Sequence, residues 1–246
     1  MGKLKAVILK APGTNCDREM RQALTLAGAV AVTMDFFQAA KRPKSLYDYD
    51  MLVLPGGFSY GDYLGSGKVF SLMLEADLAG LLLDFATQGR TVLGVCNGFQ
   101  VLVNSGLFSS GERKVTLLAN ALGRFECRWV KVGVEADSVL AKRARKIIKE
   151  DFELPIAHAE GRFTVADQAT LAGLRREGSV FLRYRGANPN GSDGAVAGIT
   201  NVMGNVIGMM PHPERFVALE QHYHRHSVAG TTPWGLEFFT ALVSLD

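Results

Sequence analysis

Three side chains in this sequence are of types that can share acid–base and nucleophilic work: Cys96, His212 and Glu214. Cys96 stands in Gly94-Val-Cys-Asn-Gly98. Thr91 to Val95 before it is β-branched and apolar and reads as a buried strand, while Phe99-Gln-Val-Leu-Val-Asn104 after it has helix-compatible apolar spacing. The cysteine therefore sits where a strand turns into a helix, in the Gly-x-nucleophile-x-Gly pattern of a nucleophile elbow with cysteine in the serine position. A turn that sharp strains the nucleophile's backbone, and a side chain on either glycine would clash with the crossing chain. The helix start offers a positive dipole end and free N–H groups, which favour a thiolate and an oxyanion. Taken alone, the pentapeptide is also compatible with a buried structural cysteine.

Met210-Pro-His-Pro-Glu-Arg215 supplies the partners. Each proline pushes its predecessor toward extended backbone, where positions two apart face the same way. His212 and Glu214 are thus expected side by side, with Glu214 accepting from one ring nitrogen and the other left for a thiol, a base with its orienter. A third stretch, Pro55-Gly56-Gly57-Phe58, follows the buried strand Met51–Leu54. A glycine-dense loop past the carboxyl end of a parallel strand is where α/β sheets place ligands, and Gly56-Gly57 lets backbone N–H groups approach a substrate oxygen. Gly65-Ser-Gly-Lys68 resembles a phosphate loop, but the glycine six before the lysine is replaced by Asp62 and Val69 follows, so ATP binding there is rejected.

The elements that must position these residues read as an α/β chain. Leu4–Leu9 is a first strand, Cys16–Gly28 an amphipathic helix with Asn15 as N-cap, and Val30–Met34 a second strand. This opening βαβ unit implies a parallel sheet. Val69–Thr87 reads as one long helix, Thr116–Val134 as strand in an antiparallel hairpin, and Val180–Tyr184 as strand. Ala195–Asn201 and Asn205–Met210 form a hairpin that delivers His212, and Trp234–Leu245 is a last helix. Ser109–Lys114 is a polar loop, and Lys142–Lys146 a basic, solvated turn of helix. His158, Glu160 and Arg162 are expected on one side of an extended chain, as an ion network or, preferably, a partner-facing group. His222 and His226 would share a helix face at metal-ligand spacing, but no cysteine or carboxylate completes a set, and no metal is assigned.

The chain has 246 residues, 48% hydrophobic and 21% charged, which suits one large α/β domain; with no repeat or linker, residues 1–246 read as a single domain. A net charge of +3 with mixed signs gives no nucleic-acid footprint. Three cysteines, Cys16, Cys96 and Cys127, without a Cys-x-x-Cys pair fit neither a disulfide framework nor a zinc knuckle, so a reducing, cytoplasmic setting is expected. The first residues lack a signal-peptide pattern, and no stretch approaches a membrane span.

Pro-Gly-Gly-Phe, Gly-x-Cys-x-Gly-x-Gln and His-Pro-Glu, in that order, resemble the class I (triad-type) glutamine amidotransferases. Leu54–Leu64, Gly94–Gln100, Asn188–Ser192 and Gly208–Arg215 are similar to the branch that serves as glutaminase subunit of phosphoribosylformylglycinamidine synthases, and the resemblance spans nearly the whole chain. It implies a flavodoxin-like three-layer sandwich, mostly parallel with an antiparallel hairpin extension. It implies Cys96 as nucleophile, His212 as base then acid, and Glu214 as orienter. The N–H groups of Gly57 and Asn97 would form the oxyanion hole, and Gly56, Phe58 and Gln100 would help hold glutamine, while Cys16 and Cys127 match no catalytic position. It further implies a large synthetase subunit carrying ATP and magnesium, which turns formylglycinamide ribonucleotide into formylglycinamidine ribonucleotide in purine biosynthesis. A small bridging subunit is also implied, and no cofactor in this chain. Two stretches depart from the family: His158-Ala-Glu-Gly-Arg162 where His-Gly-Glu-Gly-Arg is usual, and Gly65–Lys68. Two other readings compete with this one. In an α/β-hydrolase the acid precedes the histidine, whereas Glu214 follows His212. A glutamine-binding regulatory scaffold without turnover would favour a missing triad member, yet all three are present.

Overall fold

The computed structural model describes residues 2–108, 114–144, 151–226, 228 and 230–245. The polar loop at 109–113 and Arg145 and Lys146 of the basic run lie outside the described residues. Eleven strands are described: β1 Lys5–Lys10, β2 Val30–Asp35, β3 Met51–Leu54, β4 Thr91–Val95, β5 Val115–Leu118, β6 Glu126–Val134, β7 Phe152–His158, β8 Arg162–Val165, β9 Val180–Tyr184, β10 Val196–Thr200 and β11 Val206–Met209. The helices are α1 Asp17–Leu26, α2 Phe36–Lys41, α3 Lys68–Asp77, α4 Leu81–Thr87, α5 Asn97–Asn104, α6 Val139–Arg143, α7 Gln168–Arg176 and α8 Trp234–Val243.

Nine strands form one sheet in the order β2-β1-β3-β4-β11-β10-β9-β6-β7. The first five run parallel, and the last four are antiparallel. β1, β3, β4 and β11 read as near-continuous apolar runs because helices cover both faces of a parallel sheet; Val7, Ile8, Leu52, Val53, Val92, Leu93 and Ile207 are fully buried. The register sets Leu54 beside Gly94 and Gly94 beside Gly208. The three chains leaving β3, β4 and β11 therefore emerge at one carboxyl edge, where such sheets bind ligands. The edge strand β7 reaches the same place: Pro155 O accepts from His212 N–H at 2.8 Å. No helix among the described residues is long and apolar enough to cross a membrane.

Four expectations need correction. The helix over 69–87 is two, because Gly80 adopts a left-handed φ of +74° and opens α4 after α3 has ended at Asp77. The segment 116–134 is not a hairpin: β5 pairs with β8 in a separate two-stranded sheet, whereas β6 joins β7 and β9 in the main one. Alternation identifies strands but not their partners, which are set by the distant sequences that cover each face. Asn15 does not cap α1; Cys16 occupies that position without a side-chain cap. Residues 158–162 are not one extended chain, because β7 ends at His158 and β8 begins at Arg162.

Candidate active site

Cys96 connects β4 to α5 with φ 52° and ψ −109°, a conformation that costs a non-glycine residue on the order of 1–3 kcal/mol. The surroundings impose it. Cys96 N–H donates to Met209 O at 2.8 Å, and Cys96 O accepts from Gln100 N–H at 3.1 Å. Gly98 has no room for a side chain, since a Cβ there would run into the Leu54 carbonyl. The flanking glycines let the helix start lie directly on β3. Cys96 is buried, and its thiol donates to Ala157 O at 3.6 Å.

His212 and Glu214 meet as expected, by a different local path. Pro213–Arg215 is a short 3-10 turn rather than extended chain. Pro213 opens that turn with the φ it prefers, and the turn brings Glu214 back beside the ring. His212 Nδ1 and Glu214 Oε1 are 2.6 Å apart, and both side chains are buried. The ring's other nitrogen, Nε2, is buried without a hydrogen bond among the described residues, as is Glu214 Oε2. Burial works against a charge on His212, but the Glu214 carboxylate and the sulfurs of Cys96 and Cys16 outweigh it and hold the imidazole well above its ordinary range. The ring is thus held by a buried carboxylate and lies close enough to Cys96 to feel its charge.

The chain after β3 is held by the chain after β1. Phe58 N–H donates to Gly13 O at 3.0 Å and Asn15 N–H to Gly56 O at 3.4 Å, so Gly57 lies between two rungs and its own N–H enters no hydrogen bond among the described residues. Gly57 has φ +147°, and a Cβ there would lie 2.8 Å from Asn15 N and Gly13 O. Only glycine fits, for conformation and for close approach. The Asn97 N–H stands in the first turn of α5 and has no helical acceptor. These are the two donors the sequence singled out.

Asn97 and Gln100 prove to be struts. Asn97 Oδ1 accepts from Ser59 N–H at 3.1 Å, and its Nδ2 donates to Asp62 Oδ1 at 3.2 Å and Gln100 Oε1 at 3.0 Å. Gln100 Nε2 donates to Glu160 O at 2.5 Å. Both ends of the Gln100 amide make a hydrogen bond within the protein and its side chain is buried, so it braces the site. Phe58 is exposed at the rim, its ring 6.3 Å from that of Phe125. Gly56 packs against the His212 ring: a Cβ there would lie 2.8 Å from Cε1.

His158 and Glu160 meet different partners. His158 is buried with Nδ1 3.0 Å from Asn120 Oδ1, and burial, reinforced by the nearby His212, pushes it down to about 4. Glu160 Oε2 accepts from Ser66 N–H at 3.1 Å, which ties it to the Gly65–Lys68 loop. His222 and His226 do not sit on a helix. The His222 ring is buried against Trp129 and Phe216, and its Nε2 is 3.2 Å from Glu153 Oε2.

Cys16, which the sequence left without a role, lies at the site. Its sulfur, a His212 nitrogen and a Glu214 oxygen fall within 4.8 Å of one another. This is a poor cation site, because Nδ1 and Oε1 are spent on each other and the Arg215 guanidinium donates to the sulfur at 3.0 Å. The signal that could have found it is the run Pro12-Gly-Thr-Asn-Cys16 directly past the first strand, the same place in the sheet as the other two site loops. An apolar cavity of about 450 Å³ lies elsewhere, between α3, α4 and the β10–β11 turn, and is lined by no cysteine or histidine.

Comparison with known proteins agrees with this geometry. Residues 3–244 match the family of CobB/CobQ-like glutamine amidotransferase domains. The chain is 42% identical over 246 residues to phosphoribosylformylglycinamidine synthase subunit PurQ of Thermus thermophilus, covering 98% of each. It is 38% identical over 247 residues to the protein of that name from Treponema denticola, covering 89% of this chain and 90% of the relative. In the solved structure of PurLQS from Thermotoga maritima, one chain superposes with a TM-score of 0.76 at 34% identity, covering 98% of both. The chain belongs to the glutamine amidotransferases, in the branch of the phosphoribosylformylglycinamidine synthase PurQ subunits.

Proposed function

We propose that Cys96, His212 and Glu214 hydrolyse glutamine through a thioester and that the ammonia passes to a synthetase subunit. The carrying observation is the buried 2.6 Å contact of His212 Nδ1 with Glu214, electrostatically coupled to a cysteine at a strained strand-to-helix elbow. Glu214 keeps the Nδ1 proton in place, so Nε2 takes the proton from the Cys96 thiol. The thiolate attacks the side-chain amide carbon of glutamine. The oxyanion is held by the N–H groups of Gly57 and Asn97, and the imidazolium hands its proton to the departing nitrogen as the C–N bond breaks. Water then attacks the γ-glutamyl thioester, His212 takes its proton, and collapse returns the thiol and releases glutamate. Gly56 and Phe58 border the substrate, and Gln100 acts through Asn97.

The name of the Thermotoga complex supports a large subunit of PurL type and a small one of PurS type as partners for this chain. ATP and magnesium belong to the large subunit in this reading, and the chain itself uses no cofactor. It works as a single unit over residues 1–246 in the cytoplasm; its three free thiols agree with a reducing compartment. A silent glutamine sensor is disfavoured because all three reacting groups are present. Cys96→Ala tests the reading: glutamine-dependent synthesis by the complex is lost while ammonia-dependent synthesis persists. Normal glutaminase activity in that variant would refute it.

A further inference from the structure

We propose, on the triad assignment above, that Cys16 is a positioning residue for the glutaminase reaction: its sulfur backs the His212–Glu214 pair while its amide fixes the oxyanion strand. Cys16 touches both halves of the site. Its N–H donates to Gly56 O at 3.2 Å, immediately before Gly57. Its sulfur is fully buried and within 4.8 Å of a His212 nitrogen and a Glu214 oxygen. A Cβ built on Gly56 would lie 2.8 Å from His212 Cε1 and 3.1 Å from Cys16 Sγ, so the strand, the ring edge and the sulfur meet at one point. The ring is therefore wedged between the two loops.

The chemistry of the contact is specific. Arg215 follows Glu214 directly, and its guanidinium donates to Cys16 Sγ at 3.0 Å, while Sγ lies 3.2 Å from Asn15 Oδ1 as its donor. A guanidinium is permanently charged. Half-buried, it takes the sulfur as its acceptor and so fixes Sγ against the His212–Glu214 pair. The groups that act on His212 are Glu214, Cys96 and Cys16, with Arg215 behind the sulfur and His158 facing it from β7. Of these, Cys16 raises the proton affinity of His212 through its own contact with the ring, and His158, pushed down to about 4, carries no charge against the imidazolium near neutral pH. Alanine at position 16 removes both the wedge and the acceptor. Serine keeps a polar acceptor of smaller radius and restores part of the effect. A merely structural cysteine would alter stability on substitution but leave the proton affinity of His212 where it is.

The experiment is an imidazole 15N NMR titration of the full chain, wild type against Cys16→Ala and Cys16→Ser, with kcat, KM and thermal midpoint measured in parallel. Cys16→Ala is expected to lower the proton affinity of His212 about tenfold or more, a shift of about one pH unit, and to reduce kcat with KM little changed. Cys16→Ser falls between, and it carries the test where the alanine variant does not fold. Titration curves that superimpose on wild type, whatever the thermal midpoint, overturn the role of Cys16. A Cys96→Ala control separates the two readings. If that control still hydrolyses glutamine, the triad assignment falls. If it is dead while both Cys16 variants titrate and turn over as wild type, only the role of Cys16 falls.

Discussion

Replacing Glu214 with glutamine removes one charge and little volume from a fully buried contact. In the native chain Glu214 Oε1 and His212 Nδ1 are 2.6 Å apart with both side chains out of water. The carboxylate does two things there. It fixes the ring so that Nε2 is the basic atom, and it counters the burial that opposes the imidazolium. A neutral amide can present its NH₂ to Nδ1 and select the wrong tautomer, a change worth about 10⁴ in kcat in serine-protease triads. The expected loss in Glu214→Gln is accordingly about 10² to 10⁴ in kcat for glutamine hydrolysis, with KM within a few-fold, because the amide leaves the pocket's shape intact. Stability follows the proton. The folded value of His212 is raised, so its contribution is fully present below the unfolded value near 6.5 and is lost as pH rises through the folded value. Breaking a buried charge pair costs about 3–5 kcal/mol, and that penalty is expected in Glu214→Gln near pH 6 and shrinks at alkaline pH. Urea unfolding at several pH values, alongside steady-state glutaminase assays, reads both. A variant with native kcat, or with a pH-independent stability difference, refutes the orienting role.

Gly98→Ala drives a methyl into the Leu54 carbonyl and is expected to cost several kcal/mol, at the extreme of point mutations and above about 4 kcal/mol, with loss of turnover, read by denaturant unfolding. Gln100→Ala strips an acceptor from Asn97 and a donor from Glu160 O; about 1–3 kcal/mol of stability and a fall in kcat are expected, whereas a change in KM alone would mark Gln100 as a direct glutamine contact. His158 has the opposite sign to His212. Its folded value is depressed to about 4, so stability is intact above 6.5 and is lost as pH falls toward 4, by about 3 kcal/mol at most. His158→Asn is expected to flatten that part of the stability–pH curve.

Much of the site was legible because its physics is local. Gly-x-Cys-x-Gly after a β-branched run leaves few backbone paths, and Cys96 takes the strained one. His-Pro-Glu fixes a ring beside a carboxylate, although through a 3-10 turn rather than the extended chain that the two prolines suggest. What the sequence hid is non-local. The pairing of β5 with β8 and of β6 with β7 and β9 depends on residues far apart. The same holds for the contacts of Cys16 with His212 and Arg215, nearly two hundred residues away. The bracing of Gln100 by Asn97 and Glu160 O is equally non-local, because Glu160 lies sixty residues away. His158 read as partner-facing on an extended chain, but it ends the buried face of β7, where its ring meets Asn120.

The measurement closest to the central claim is intact mass with peptide mapping after exposure to a glutamine-analogue diazo-ketone, with free glutamine as competitor and the synthetase subunit present. The account predicts one adduct, on Cys96, suppressed by glutamine and absent in His212→Ala. An adduct on Cys16 or Cys127 in its place, or labelling of Cys96 that glutamine does not suppress, would contradict it.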